Sequence, residues 1–439
     1  MSLTIVDGLP TLEEDSWNLS LRTCGLSAYI RSPTFIARFS LESGRTDWLI
    51  QRSQVRWAES TWKRPRRIEP SDSNLWIGAT ENVVAEILPT EGGEIVISAR
   101  DARNGSHLWE QLIPIPETCH WAEPTPAWPG AQTEEIHAFF GNDPHRLIVC
   151  LMRQSRRSGL INPSAGIEVR SVPTYACQTD ASRFNPLGGS RLWNASFPSV
   201  RVDALNEPAF TGLWTHGTRL GIIDFESGTN RILHESPHCL GWPVRDDHAI
   251  AVPWHSKREL GIDWVDLGGK RLRQSKWERS GAYSTQLHAT EGGLAMQTNH
   301  AQMLWWLGRE ETPRWQIRAK PYIYNVHSSL STDVFVGTDG RGGRLLAFNS
   351  ASGRETLNIK PVFSGAGKMT KLPGDDVLVG PFGTSKSDPY AGLLCIVHMR
   401  DRGHELRYAC CEMLGTWQHG AVCNTGARGE RIAVIDIRG

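Results

Sequence analysis

The chain has 439 residues, and its 47 basic and 47 acidic side chains cancel to a formal net charge of zero at neutral pH. This balance argues against a protein whose main task is to hold nucleic acid or an anionic membrane, since both tasks need a sustained positive field. The one basic run, at residues 63–67, is more typical of a solvated loop than of a polyanion site.

A membrane-spanning helix would need roughly 18 consecutive apolar residues, and the chain has no such run. The N-terminal segment is acidic and lacks the apolar core of a signal peptide, so we expect a cytoplasmic protein with no membrane or nucleic-acid partner. Nine irregularly spaced cysteines without a CxxC pair are typical of reduced thiols, and argue against a disulfide framework or a zinc site.

Glycine (42 residues), proline (25) and tryptophan (18) are abundant, and short alternating apolar runs take the place of long helical patterns. The sequence therefore predicts an all-β fold. In chain order one hairpin recurs eight times, with its turn at or near Gly44, Gly105, Gly189, Gly228, Gly268, Gly308, Gly353 and Gly403.

Each hairpin consists of an apolar strand, a polar turn with glycine, and a returning strand that carries a bulky residue four positions after the glycine. Trp48, Trp109 and Trp193 occupy this bulky position, and Ile232 and Leu357 replace tryptophan in two other copies. The glycine supplies the positive φ that a tight turn requires. We expect the bulky side chain to pack between neighbouring sheets.

From Gly189 onward the turn glycines are 39 to 50 residues apart, which is the span of one four-stranded blade of a β-propeller. The sequence therefore predicts a single β-propeller domain over residues 1–439, with antiparallel four-stranded blades and a ring closed by the N- and C-terminal strands. Eight blades are favoured, and seven result if one weak copy is an addition to the ring. Two longer intervals predict loop insertions near residues 124–136 and 173–187.

The segment ARDARNGSHLW (residues 99–109), and next AFNSASGRETL (residues 347–357), resemble the repeat of the pyrroloquinoline-quinone-type propellers, whose approximate pattern is A-x-D-x-x-T-G-x-x-x-W. The resemblance extends over nearly the whole chain and implies the quinoprotein-like β-propeller fold. It implies little about function, because that superfamily includes dehydrogenases, assembly factors and sensors.

In propellers, the segments that lead from the outer strand of one blade to the inner strand of the next open at the central channel, where a ligand site is expected. Here these segments carry histidine, aromatic and cationic residues. The candidate catalytic residues, which could act as general acids or bases, are His288, His327, His419 and Tyr324. The candidate ligand-binding residues, which suit a planar or anionic molecule, are His120, Trp121, Trp242, Arg245, Gln286, Tyr322, Lys368 and Trp417.

No metal site is expected, because no sequence-local pair of ligands supports one, and no cofactor is favoured. An adjacent cysteine pair such as Cys410 and Cys411 lies near the cofactor in quinone-dependent dehydrogenases of the resembling superfamily. This chain shows no matching calcium-ligand or quinone-binding segment, so we expect two reduced thiols.

Two functions remain open at this point. The first is a small-molecule site at the mouth of the channel, and catalysis there would be acid–base chemistry on a small polar or aromatic substrate rather than quinone-dependent dehydrogenation. The alternative is a non-enzymatic scaffold that binds other proteins. A small molecule is thus the favoured partner and a protein the alternative partner.

Overall fold

The computed structural model describes the chain in segments. These are residues 2–12, 19–32, 34–51, 77–89, 94–114, 120–121, 132–140, 146–161, 168–197, 203–204, 211–241, 243–246, 249–256, 258–278, 285–290, 293–298, 303–308, 314–318, 323–327, 333–338, 343–349, 351–363, 369–371, 377–379, 393–398, 403–409, 412–425, 431–436 and 438.

These residues form β-strands and no helix. The first eighteen are β1 (Ser2–Ile5), β2 (Ser20–Cys24), β3 (Ser27–Arg31), β4 (Phe35–Ser40), β5 (Thr46–Gln51), β6 (Ile77–Ala79), β7 (Val83–Pro89), β8 (Glu94–Asp101), β9 (His107–Pro114), β10 (His120–Trp121), β11 (Gln132–Phe140), β12 (Leu147–Ile161), β13 (Glu168–Phe184), β14 (Arg191–Phe197), β15 (Asp203–Ala204), β16 (Thr211–His216), β17 (Arg219–Asp224) and β18 (Asn230–Glu235).

The remaining strands in the described segments are β19 (Cys239–Leu240), β20 (Val244–Asp246), β21 (Ala249–His255), β22 (Glu259–Val265), β23 (Arg271–Glu278), β24 (Thr285–Thr290), β25 (Gly293–Thr298), β26 (Met303–Gly308), β27 (Trp315–Arg318), β28 (Ile323–His327), β29 (Asp333–Thr338), β30 (Gly343–Asn349), β31 (Glu355–Phe363), β32 (Met369–Lys371), β33 (Val377–Val379), β34 (Leu393–His398), β35 (Gly403–Ala409), β36 (Glu412–Trp417), β37 (Gly420–Thr425) and β38 (Arg431–Asp436). Among the described residues, no helix is long and apolar enough to cross a membrane.

The described strands form nine sheets. Eight follow the chain, namely sheet 1 (β2–β5), sheet 2 (β6–β9), sheet 3 (β10–β14), sheet 4 (β15–β18), sheet 5 (β19–β23), sheet 6 (β24–β27), sheet 7 (β28–β31) and sheet 8 (β32–β35). The ninth, which we call the terminal sheet, has the order β1-β38-β37-β36. All eight predicted hairpins are present as the last two strands of sheets 1 to 8, but the predicted total of eight blades is not confirmed.

Pairing between the two ends of the chain completes the terminal sheet. Strand β1 runs antiparallel to β38, from Ser2 opposite Asp436 to Ile5 opposite Ala433. The N-terminal strand therefore covers the edge of β38 that would otherwise be free. The predicted closure of the ring by terminal strands takes this form.

Successive sheets pack face to face, from the terminal sheet through sheet 1 to sheet 7. The innermost strands make many of these contacts, as between β36 and β2, β2 and β6, and β24 and β28. One apolar cluster lies at each junction from the terminal sheet to sheet 6. A four-stranded antiparallel sheet cannot bury both faces alone, and stacking around an axis supplies the missing cover. The fold is a β-propeller, as predicted.

Tryptophan residues of the outer strands pack against the turn of the next sheet. The indole nitrogen of Trp109 in sheet 2 donates a 2.7 Å hydrogen bond to the carbonyl oxygen of Pro186 in the β13–β14 turn of sheet 3. A Cβ atom on Gly189 of that turn would lie 2.6 Å from the indole ring, and Gly189 has a φ of +69°. Glycine is thus required there both for its backbone conformation and for the close approach of the ring.

The same arrangement recurs at other junctions, as the sequence predicts. The pairs of tryptophan and facing turn glycine are Trp48 with Gly105, Trp193 with Gly228, and Trp315 with Gly353. Sheet 4 differs from this pattern: Ile232 is exposed, and the backbone of Leu233 approaches the next turn at Gly269. The prediction that Ile232 replaces tryptophan is therefore wrong, and the turn glycine with positive φ in sheet 5 is Gly269 rather than Gly268.

The two predicted insertions fall in sheet 3. Residues 124–131 lie outside the described residues, and residues 132–136 begin β11. Residues 173–184 belong to β13. Strand β13 pairs with β12 out to Glu168, which lies opposite Ile161. In contrast, β14 pairs with β13 only from Thr179 to the C-terminal end of β13. The extra length of this segment therefore forms an elongated hairpin that projects beyond the outer strand.

Candidate functional site

Most of the predicted site residues lie on the innermost strands of their sheets. His120 and Trp121 form β10, Gln286 and His288 lie on β24, and Tyr324 and His327 lie on β28. Strand β24 contacts both β20 of sheet 5 and β28 of sheet 7. The structure therefore places these residues on the inner wall of the propeller. Trp242, Tyr322 and Lys368 lie outside the described residues.

The register separates Arg245 from Gln286 and His288. Arg245 on β20 is directly opposite Ile250, which is buried in the apolar cluster between sheets 4 and 5. Gln286 and His288 flank Leu287, which is buried in the cluster between sheets 5 and 6. Arg245 therefore belongs to the sheet 4 side of sheet 5, whereas Gln286 and His288 lie on the inner strand of another sheet.

Arg245 is half-buried, and its Nη1 atom is buried without a hydrogen-bond partner in the part of the chain that the structure describes. A buried guanidinium donor without an acceptor is unfavourable, since it has lost water and gained no partner. An anionic or carbonyl group from a ligand would satisfy it. The described residues contain no group of three or more His, Cys, Asp or Glu side chains that could hold a metal ion.

Trp417 and His419 meet at the turn between β36 and β37, within the terminal sheet. Their rings are 5.3 Å apart in an edge-to-face arrangement, and Trp417 is buried in the cluster between the terminal sheet and sheet 1. The guanidinium of Arg438 lies 5.4 Å from the centre of the Trp417 ring and is 3.6 Å from Glu42 in sheet 1. These contacts connect the two sheets, so Trp417 has a structural role.

A buried polar network lies between sheets 4 and 5. The fully buried carboxylate of Asp263 accepts hydrogen bonds from Gln274 (2.7 Å) and Trp254 (3.2 Å), and its other oxygen lies 3.1 Å from Nε2 of His234. Burial of a carboxylate is tolerated when its lone pairs are satisfied in this way. With its carboxylate fully buried, this histidine–aspartate pair stabilises the junction between the two sheets.

The outer rim of sheets 3 to 5 carries a cluster of exposed aliphatic side chains. These are Leu187 (63% exposed), Leu192 (50%), Ile232 (47%), Leu267 (39%) and Leu272 (52%). Leu192, Ile232 and Leu272 lie on the outermost strands β14, β18 and β23, and the other two lie in the adjoining turns of sheets 3 and 5. We call these five residues the rim surface. Single exposed aliphatic residues are common, and Leu112 (47%) on β9 of sheet 2 is another; the repetition on three successive outermost strands makes sheets 3 to 5 a candidate binding surface.

Two members of the rim surface are β-bulge residues. Leu192 lies between Arg191 and Trp193, which pair with consecutive residues of β13, and Leu272 has the same position in the pairing of β23 with β22. A bulge adds a residue that is left out of the ladder and turns its side chain away from the regular pleat. In both places the bulge directs a leucine toward solvent.

Other copies of the same bulge show that the fold does not require leucine there. The bulge residue is Asp47 in sheet 1 and Thr356 in sheet 7. Asp47 forms an ion pair with Arg38 at 3.1 Å. Polar residues can thus form the same bulge, whereas Leu108 forms it in sheet 2 and is partly buried against the apolar cluster between sheets 2 and 3. The leucines of sheets 3 and 5 differ from both kinds of copy because they are apolar and exposed.

Each outer-strand member of the rim surface follows an arginine. The pairs are Arg191–Leu192, Arg231–Ile232 and Arg271–Leu272, and successive pairs are 40 residues apart in the chain. This signal was available in the sequence, but exposure could not be inferred from strand alternation because the bulge alters the alternation locally. All three arginines are exposed.

Hydrogen bonds join the three sheets beneath the rim surface. Trp193 of sheet 3 donates to the carbonyl oxygen of Phe225 in the turn of sheet 4 at 3.2 Å, and Arg231 of sheet 4 donates to that of Leu267 in the turn of sheet 5 at 3.0 Å. Arg183 and Arg146 both pair with Glu226, and their hydrogen bonds hold the pKa of this carboxyl below its usual range. These contacts hold the turn of sheet 4 against sheet 3 and the turn of sheet 5 against sheet 4.

No protein-family model and no curated protein matches this chain. Among solved structures, BamB from Moraxella catarrhalis is similar at 14% identity and a TM-score of 0.44, over 86% of this chain and 94% of that chain. The WD40 domain of SCAP from fission yeast is similar at 8% identity and a TM-score of 0.44, over 100% of this chain and 98% of that chain.

A structure of a eukaryotic initiation factor is similar at 12% identity and a TM-score of 0.48, over 80% of this chain and 81% of that chain. At these identities the likeness to all three proteins concerns the fold alone. The resemblance to the pyrroloquinoline-quinone-type repeat is likewise one of fold, and no activity or partner transfers from these proteins to this chain.

Proposed function

We propose that this protein is an interaction scaffold that binds a partner protein on the rim surface. The observation that carries the proposal is the group of exposed aliphatic residues on sheets 3 to 5, two of which stand at bulge positions that sheets 1 and 7 fill with polar residues. Covering these side chains with a partner removes apolar surface from water, which is the main driving force of protein association.

The test compares the full chain with a rim variant, Leu192→Thr/Leu272→Thr, in affinity capture from the source lysate with quantitative mass spectrometry. Threonine occupies the same bulge at Thr356, so the variant is expected to fold. The matched control is Leu26→Thr, which removes a leucine of similar exposure (46%) outside the rim surface. Thermal unfolding of all three proteins confirms that they are equally folded.

Burial of the exposed half of a leucine side chain stabilises a complex by about 1 kcal/mol. Loss of two such side chains therefore weakens binding by at least about tenfold. We expect a partner protein whose recovery falls by this factor with the rim variant and is unchanged with Leu26→Thr. Equal recovery of every captured protein by the three chains would refute the proposal.

A small-molecule site on the inner wall is a second candidate function, and its support is the buried, unsatisfied Nη1 atom of Arg245 within the described residues. His288, His327 and Tyr324 stay separate candidates for acid–base groups, on the inner strands of sheets 6 and 7. Its test is thermal unfolding with acetate, citrate and phosphate. A rise in melting temperature that disappears in Arg245→Met would support this candidate, and no rise with any of the three anions would count against it.

A further inference from the structure

We infer that the partner of the rim surface is an acidic protein segment that carries aliphatic side chains. This inference rests on the proposed function and adds the chemistry of the partner to it. The evidence is the charge that accompanies the exposed aliphatic residues, the repetition of that charge on three sheets, and the position of the three strands at the edges of their sheets among the described strands.

The charge at the rim surface is positive and available. Arg191, Arg231 and Arg271 form no ion pair with a carboxylate in the described part of the chain, whereas the neighbouring Arg219 pairs with Glu235 at 2.9 Å. Arg191 lies 5.7 Å from the centre of the Phe184 ring. A guanidinium has five N–H donors, so an arginine that gives one or two to its own protein can still hold a carboxylate.

The arrangement repeats with the sheets. Each of sheets 3, 4 and 5 presents one arginine followed by one exposed aliphatic residue on its outermost strand, and we call each such pair a subsite. Leu192 and Leu272 are bulge residues, whereas Ile232 is paired with Gly221. A chain segment with an acidic residue beside an aliphatic residue complements one subsite. A segment that repeats this pattern can occupy several subsites, and each further contact then forms at high effective concentration.

Other macromolecules fit the rim surface less well. Nucleic acids are held by aromatic side chains on which bases stack, and the exposed apolar residues here are leucine and isoleucine. Strands β14, β18 and β23 end their sheets, and only a protein segment can form the main-chain hydrogen bonds that these edges offer.

The experiment measures the binding of labelled synthetic peptides of about twelve residues, long enough to span roughly 40 Å when extended, by fluorescence anisotropy with the full chain. One peptide consists of Asp-Leu-Ser repeats, a second of Lys-Leu-Ser repeats and a third of Asp-Ser-Ser repeats. The variants are the rim variant and the triple variant Arg191→Gln/Arg231→Gln/Arg271→Gln. Arg219→Gln serves as the matched control, because its arginine already has an acidic partner.

We expect the Asp-Leu-Ser peptide to bind, and its affinity to fall at least about tenfold in each rim-directed variant but not in Arg219→Gln. We also expect it to fall when salt rises from about 50 mM to about 500 mM, because exposed charges are screened. The Lys-Leu-Ser peptide should not bind, and the Asp-Ser-Ser peptide should bind weakly.

Equal affinity of the Asp-Leu-Ser and Lys-Leu-Ser peptides, or no loss in the triple variant, would overturn the inference. Preferential binding of phosphatidylserine vesicles or of oligo-dT, lost in the same variants, would also overturn it in favour of a membrane or a nucleic acid. If the peptide fails while rim-dependent protein capture succeeds, the partner chemistry is wrong and the scaffold function stands. If rim-dependent capture fails as well, the proposed function is wrong.

Discussion

The contact between Trp109 and the turn of sheet 3 predicts a large effect of one added methyl group. In Gly189→Ala the new Cβ would lie 2.6 Å from Cδ2 and 2.8 Å from Cγ of the indole, which is closer than real side chains approach. The indole would have to move, and its 2.7 Å hydrogen bond to Pro186 would be lost or weakened. Trp109 is buried against Phe184, so little free space is available for this movement.

A matched control separates the backbone strain of Gly189→Ala from the cost of its clash with the indole ring. Gly217 also has a positive φ (+57°), but nothing lies within 4 Å of a Cβ added there. Gly217→Ala should therefore lower the free energy of unfolding only by the backbone strain, about 1–2 kcal/mol. Gly189→Ala has the same strain, together with about 1–3 kcal/mol for overpacking and about 1 kcal/mol for the hydrogen bond. We expect the two free energies of unfolding to differ by about 2–4 kcal/mol.

Urea unfolding followed by far-UV circular dichroism measures both free energies. A second measurement repeats Gly189→Ala in a Trp109→Leu background, where the smaller side chain leaves room for the methyl group. The loss should then shrink by at least about 1 kcal/mol, because the two residues are in contact. If Gly189→Ala and Gly217→Ala destabilise the protein equally, the glycine is needed only for its backbone conformation and the packing argument is wrong.

Three further predictions concern buried groups and the closure of the ring. Glu86→Ala removes a fully buried carboxylate that lies 3.3 Å from buried Arg31 and 4.0 Å from Arg100, and should cost about 3–5 kcal/mol in urea unfolding. The exposed control Glu110→Ala should change stability by less than about 1 kcal/mol, and a similar loss in both would contradict the ion-pair argument. Burial raises the pKa of Tyr29 to about 12. The contribution of neutral Tyr29 to the free energy of unfolding is therefore complete below the unfolded pKa of about 10, and it is lost as pH rises toward 12. The difference in stability between wild type and Tyr29→Phe should therefore fall with pH in this window, and a constant difference would refute it. Deletion of residues 2–5 exposes the edge of β38, and light scattering should show new dimers or larger assemblies; a monomer of unchanged melting temperature would contradict the closure.

The sequence predicted the hairpins well because each carries local signals. A turn glycine and a bulky residue at a fixed spacing are both set by the backbone of one sheet, as Gly189 and Trp193 illustrate. The terminal sheet was not predicted as a separate sheet, for a physical reason. Its last pair of strands, β38 and β1, comes from opposite ends of the chain, so no turn marks the pairing.

The candidate site could be predicted only in part. Alternation along a strand shows which residues share a face, but not which face of the sheet they occupy. Thus Arg245, Gln286 and His288 were expected to converge, whereas the register assigns Arg245 to the sheet 4 side of sheet 5 and the other two lie on the inner strand of sheet 6. The rim surface was missed because an exposed leucine such as Leu192 depends on a bulge, which results from pairing and not from the local sequence.

The central claim is that a partner protein binds at the rim and not at the inner wall. A photo-crosslinking amino acid placed at position 272, and in separate proteins at positions 288 and 26, tests this claim most directly in the source lysate. We predict a cross-linked protein partner from position 272 that the Asp-Leu-Ser peptide displaces, and no such product from positions 288 and 26. A displaceable product from position 288 with none from position 272 would contradict the account.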